Sequence, residues 1–95
     1  MDAAKLDDET LTRLIDLSDR VDPPPSRSMA EGRDHSAGDT FIMIGSEDDR
    51  REDLYLSRDS GPADTTIHDL VAEARNALPL LIGEIRRLRS LLADQ

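Results

Sequence analysis

Residues 67–92 read IHDLVAEARNALPLLIGEIRRLRSLL, and the spacing of apolar side chains in this run decides the fold. Ile67, Val71, Ala74, Leu78, Leu81, Ile85, Leu88 and Leu92 are separated by alternating steps of four and three. The mean step is 3.5, the repeat at which one helix keeps the same seam toward another along its whole length. Val71, Leu78, Ile85 and Leu92 take the a positions, and Ile67, Ala74, Leu81 and Leu88 the d positions. Farthest from that seam lie Asp69, Asn76, Gly83 and Ser90, all small or polar, so both sides of the helix agree on the register. These eight residues are the expected oligomer interface. Leu70, Ala77 and Leu91 widen the seam on one side and Ile82 on the other, with Leu80 beyond them. So broad a face suits a bundle or copies of the same helix.

Pro79 breaks the local rule. Within a helix it removes one backbone hydrogen bond and crowds the carbonyl of Arg75. The heptad phase continues unbroken across it, so a single kinked helix is expected rather than two helices divided at Ala77-Leu78. Upstream, Thr66 with Asp69 fits a capping box, and Asp64 or Thr65 can serve as the cap instead. Ser60-Gly61-Pro62 separates this helix from what precedes it.

Outward from there the signals weaken. Thr40–Ile44 (TFIMI) and Leu54–Arg58 (LYLSR) are β-prone and are expected to pair as a two-stranded hairpin around the charged connector GSEDDRRED. A lone hairpin is barely stable, so it must lie against a helix or another subunit. The stretch PPPSRSMAEGRDHSAGD from Pro23 is poor in apolar residues and reads as a flexible linker. Before it, Leu6 to Val21 reads as an amphipathic helix with Leu11, Leu14, Ile15, Ser18 and Val21 on one stripe, capped by Asp7 or Asp8 and stopped by the prolines. The expected organisation is a short N-terminal helix over 1–22, a linker over 23–39, and a hairpin plus long C-terminal helix over 40–95. Together they make one small domain that is mainly α with a small β-hairpin (α+β).

The totals narrow the function. The chain has 95 residues, a formal net charge of −9, 35% charged and 37% hydrophobic residues, one Phe, one Tyr, no Trp and no Cys. A core from this composition must be aliphatic, and a chain this short gains stability by self-association. The acidic surface repels nucleic-acid backbones, so no direct nucleic-acid partner is expected. Absence of cysteine excludes disulfides, thiolate metal sites and thiol catalysis. No run approaches the roughly 20 apolar residues of a membrane span. The stretch Met1 to Thr10 is acidic with no apolar run, unlike a signal peptide, so a cytoplasmic location is the expectation.

From Ala74 to Leu92, the residues Ala74, Arg75, Pro79, Leu80, Leu81, Glu84, Ile85, Arg87, Leu88 and Arg89 form a pattern that resembles the ending of small accessory proteins of tailed phages and prophages, of the ead-like early-region type. The resemblance covers about the last third of the chain, and the hairpin loosely. It implies a phage-encoded, non-essential protein acting in the host cytoplasm against the host or its defences, by binding a host protein or a small nucleotide signal. It implies no reaction.

Candidate chemistry is sparse. No Gly-rich phosphate loop, nucleophile elbow or pair of catalytic carboxylates occurs in the sequence, so no enzyme, catalytic residue or cofactor is expected. His35 and His68 read as solvent-exposed rather than as metal ligands, and Glu47-Asp48-Asp49 lacks calcium-loop spacing, so no metal site is expected. For a bound ligand, Arg50, Arg51, Tyr55 and Arg58 are the candidates, because arginine forks onto phosphate and tyrosine stacks on a base. Arg86, Arg87 and Arg89 are explained by the helix dipole and by solubility. The leading expectation is a homo-oligomeric binding protein. Its alternatives are an acidic mimic that occludes a basic surface of a host nucleic-acid-binding protein, and a purely structural coiled-coil module.

Overall fold

A computed structural model describes residues 5–94; the first four residues of the N-terminal segment, and position 95, lie outside the described residues. The elements in order are α1 (Asp8–Asp19), β1 (Ser26–Met29), β2 (Phe41–Ile44), β3 (Ser57–Arg58), β4 (Gly61–Pro62) and α2 (Thr65–Ala93). This is an α+β, mainly helical fold with a two-stranded antiparallel hairpin and a long C-terminal helix.

α2 runs for 29 residues without a break, Pro79 included. Asp64 caps it, its carboxylate accepting from the Ile67 N–H at 2.9 Å. α1 starts the same way: Asp7 accepts from the Thr10 N–H at 2.7 Å. It ends at Asp19, two residues short of the expected Val21, ahead of the three prolines, and Val21 is 58% exposed instead of completing the stripe.

The stretch read as a flexible linker carries β1. Its strand was hidden because the sequence Ser-Arg-Ser-Met turns serines, not aliphatics, inward: Ser26 and Ser28 are buried. Burying a hydroxyl is tolerable only with a partner, and α2 supplies one. Ser26 Oγ donates to the Ala72 carbonyl at 3.1 Å. The Asn76 carboxamide accepts from the Ser26 N–H at 2.7 Å and donates to the Ser26 carbonyl at 2.7 Å. The loop that follows is tied by side chains too, Asp34 accepting from the Ala30 N–H and Glu31 from the Gly38 N–H.

β2 pairs antiparallel with β1, Ser26 opposite Ile44 and Met29 opposite Phe41. The expected partner, Leu54–Arg58, meets β2 only at its first residue, where Ile42 and Leu54 exchange hydrogen bonds of 2.8 and 2.9 Å. The chain then leaves the sheet, and Ser57–Arg58 turns back on Gly61–Pro62. Gly45 closes β2 at φ +87°, where any Cβ would collide with the Asp49 carbonyl oxygen.

The core sits between sheet and helix. Ile42, Ile44 and Ala72 form it, with Leu56 and Val71 against them; the alanine lets strand and helix backbones approach closely. α1 lies antiparallel along the second half of α2, and two arginines hold its ends. Arg89 reaches Asp8 and the Leu6 carbonyl, both at 2.6 Å, while Arg75 donates to the Asp22 carbonyl at 2.7 Å.

Replacing Asn76 by Ala leaves two buried backbone groups of Ser26 without partners and should destabilise the fold by about 1–3 kcal/mol. Urea unfolding followed by circular dichroism measures it; a loss below about 0.5 kcal/mol would show that water satisfies the strand equally well.

Candidate functional site

The four residues singled out for ligand binding do not converge on one anion site. Arg50 is bound to Asp53 through Nε at 3.3 Å and Nη2 at 2.7 Å, and this pairing raises its pKa further. Arg51 lies 3.6 Å from Asp49 and 3.9 Å from Asp22. Arg58 stands 3.8 Å from Asp64. Each arginine of the set already faces a carboxylate. Tyr55 is 55% exposed, and what it meets is Phe41, the ring centroids 5.7 Å apart. Phe41 in turn carries His35 at 5.2 Å and the Arg50 guanidinium at 5.8 Å. So the structure unites Tyr55 and Arg50 around Phe41, and leaves Arg51 and Arg58 elsewhere.

The histidines differ from expectation. His68 is fully buried, because the first turn of α2 faces the sheet; its Nδ1–H donates to the Asp64 carbonyl at 2.9 Å. His35 is half-buried in the ordered loop, donating from Nε2 to the Met29 carbonyl at 3.2 Å and accepting at Nδ1 from the Ala37 N–H at 3.0 Å. Among the described residues no group of three or more ligand-type side chains comes together.

Sequence reasoning missed a polar cluster between the loop after β1 and α2. Arg33 grips Asp69 of α2 with both nitrogens, at 2.8 and 2.9 Å, and also holds Asp34. They border a cavity of about 480 Å³ lined also by Ser26, Arg27, Ser28 and Glu73. The Arg33 guanidinium pulls the Asp69 carboxyl down to about 2. Thirty-six residues of sequence separate the pair, so no local pattern could reveal it. Arg33, Asp34 and Asp69 are paired with one another, a cross-brace between loop and helix, while Arg27 and Glu73 on the same lining make no ion pair among the described residues.

The largest unsatisfied feature is apolar. α2 presents Leu70, Leu80, Leu81, Leu88, Leu91 and Leu92 to solvent, between 46% and 75% exposed. Of the expected interface, Ile67, Val71, Leu78 and Ile85 are half-buried, whereas Ala74, Leu81, Leu88 and Leu92 are exposed. The inward face of α2 is instead centred on His68, Ala72 and Ile82, its buried residues. At about 100° per residue, that face points away from Leu70, Leu81 and Leu88. The intramolecular packing therefore uses one side of α2 and leaves a leucine stripe open along the other. Contiguous exposed apolar surface of this extent is uncommon on a folded domain.

No protein-family model, no curated protein and no solved structure matches this chain.

The Arg33–Asp69 brace has a pH signature. Asp69 titrates near 2 instead of 3.8, so its contribution to stability is complete above 3.8 and disappears as pH falls through 2. Asp69→Asn should flatten the acid limb of the stability curve across that window. In Arg33→Ala, NMR titration should find the Asp69 carboxyl back toward 3.8; an unmoved value would assign the shift to another cause.

Proposed function

We propose that this protein is a non-catalytic binding module that works as a homo-oligomer, its copies joined through the leucine stripe of α2. The stripe carries the reading: Leu70, Leu80, Leu81 and Leu92 are 57–75% exposed on a helix already packed on its other side. Burying one such leucine fully is worth roughly 1.5–3 kcal/mol, and a small domain with a three-residue central core has reason to use it. Two further supports are the unbroken heptad phase and the continuity of α2 through Pro79, which gives the stripe from Leu70 to Leu92 its full length of about 33 Å at 1.5 Å per residue.

The partner class that fits best is a macromolecule with a basic surface rather than a nucleotide. Seven of the twelve cationic side chains (Arg20, Arg33, Arg50, Arg51, Arg58, Arg87 and Arg89) are held by the chain's own carboxylates, so a phosphate has to displace an acid to reach them. In the phage-accessory setting that the resemblance implies, that partner is a host factor and the outcome is interference with host defence.

Leu81→Asp tests the assembly. Leu81 is 57% exposed, so the charge should leave the helix content of the monomer unchanged while lowering the mass seen by sedimentation velocity to that of one chain. Wild-type protein that sediments as a monomer at tens of micromolar, roughly the range of weak specific association, would overturn the reading. Native mass spectrometry of protein purified from cells adds a second readout: a clean oligomer agrees with a macromolecular partner, and extra mass of nucleotide size would refute that part.

A further inference from the structure

We infer that two copies of this chain pair through α2 in antiparallel fashion, on a two-fold axis beside Leu81. The inference rests on the self-association just proposed and names its geometry. A two-fold interface is self-complementary, each residue meeting the counterpart placed symmetrically about the axis. Count outward from Leu81. Four residues on either side stand Ala77 and Ile85, seven on either side Ala74 and Leu88, and eleven on either side Leu70 and Leu92. Antiparallel pairing therefore sets each small alanine of one copy against a large side chain of the other, and closes both ends with leucine on leucine. Parallel pairing would set Ala74 on Ala74 and Ala77 on Ala77, leaving gaps between leucine layers, and such gaps are costly in a packed seam.

The charges give the same answer independently. In an antiparallel pair the same flank of each helix meets itself. Glu73 and Arg87 share one flank of the stripe, with Leu80 midway between them, seven residues from each. With the axis beside Leu81, the antiparallel arrangement brings Glu73 of each copy to within about 3 Å, along the helix, of the level of Arg87 of the other, which also holds Glu84, and places the two Leu80 side chains within the same offset of each other. Glu73 is exposed, and it has no ion-pair partner among the described residues. More broadly, the cap Asp64 together with Asp69 and Glu73 puts acids at the start of α2, while Arg86, Arg87 and Arg89 put bases near its end. Parallel copies would align like with like. α1 and the sheet both pack on the side of α2 that carries Ala72 and Ile82, so the stripe is open for a neighbouring helix.

Because the chain has no cysteine, single replacements at exposed positions report the geometry without background. Disulfide formation needs Cα atoms within about 7 Å. Under mild oxidation Leu81→Cys should cross-link to itself. Ala74→Cys alone and Leu88→Cys alone should not, whereas an equimolar mixture of the two should give the cross-linked dimer as its main oxidised product. Cross-linking of Ala74→Cys with itself would overturn the antiparallel geometry while leaving self-association standing. A protein that sediments as a dimer yet cross-links in none of these variants would place the interface elsewhere and refute the proposal. A monomer at every concentration tested would remove the underlying reading along with it.

Discussion

The carboxamide of Asn76 does for Ser26 what a neighbouring strand would do. It offers an acceptor to the N–H and a donor to the carbonyl, both at 2.7 Å, and so joins an edge strand to a helix through backbone groups that would otherwise be left over. Everything on the sheet side follows from this contact. β1 has no apolar residue facing inward, and among the described residues its only ladder partner is β2. Unpinned, a four-residue edge strand of that composition has little to hold it. Pinned, it backs β2, and β2 brings Ile42 and Ile44 onto Ala72. The same carboxamide blunts the open edge, which would otherwise template pairing with other chains. Asp34 does likewise just past the end of β1, taking the Ala30 N–H.

A helix that binds a strand by polar contacts and close approach needs small or hydrogen-bonding residues on its inner side. That is why α2 carries His68, Ala72 and Asn76 inward and most of its leucines outward. In an isolated amphipathic helix the apolar stripe is the buried one. Here the two sides differ: the polar-and-alanine side organises the intramolecular packing, and the leucine side is left exposed. The packing of α1 follows the same division, since it sits where Leu78 and Ile82 bridge the two sides, and is held at its ends by Arg75 and Arg89 rather than by a large apolar area.

This division explains what could be read in advance. The heptad phase from Ile67 to Leu92 was legible, as were the existence of α2, the cap of α1 at Asp7 or Asp8, and the small α+β architecture, because helix period and capping are local signals; for α2 the pattern pointed first to a Thr66–Asp69 capping box, and the cap is Asp64, one of its two alternatives. Which side of α2 turns inward was not, since a period reports the apolar side and here the monomer packs on the other. β1 was invisible for a related reason: strand patterns are recognised by alternating aliphatics, and Ser-Arg-Ser-Met buries two hydroxyls instead, that of Ser26 finding its partners about fifty residues away. Of the candidate ligand residues, only Tyr55 and Arg50 come together, and through Phe41, a neighbour that alternation in LYLSR could not supply. Arg89 was assigned to the helix dipole on local grounds; its partners, Asp8 and Leu6, are more than eighty residues distant.

The ion pairs also determine what the surface offers to a partner. With a net charge of −9 and most arginines facing carboxylates, the field around the protein is acidic, and local positive spots are largely neutralised. A phosphate arriving at Arg50 or Arg33 competes with a carboxylate held by two hydrogen bonds at fixed geometry, and gains little from exchanging one anion for another. A basic surface meets the opposite situation. Glu47 and Asp48 are exposed on the connector after β2 and make no ion pair among the described residues, so their charge is available without breaking anything. Pairing two copies through α2 would double that acidic field while consuming only leucines and the one complementary flank. The proposed self-association and the proposed attraction to a basic partner would thus draw on different parts of the surface, and neither would come at the expense of the other.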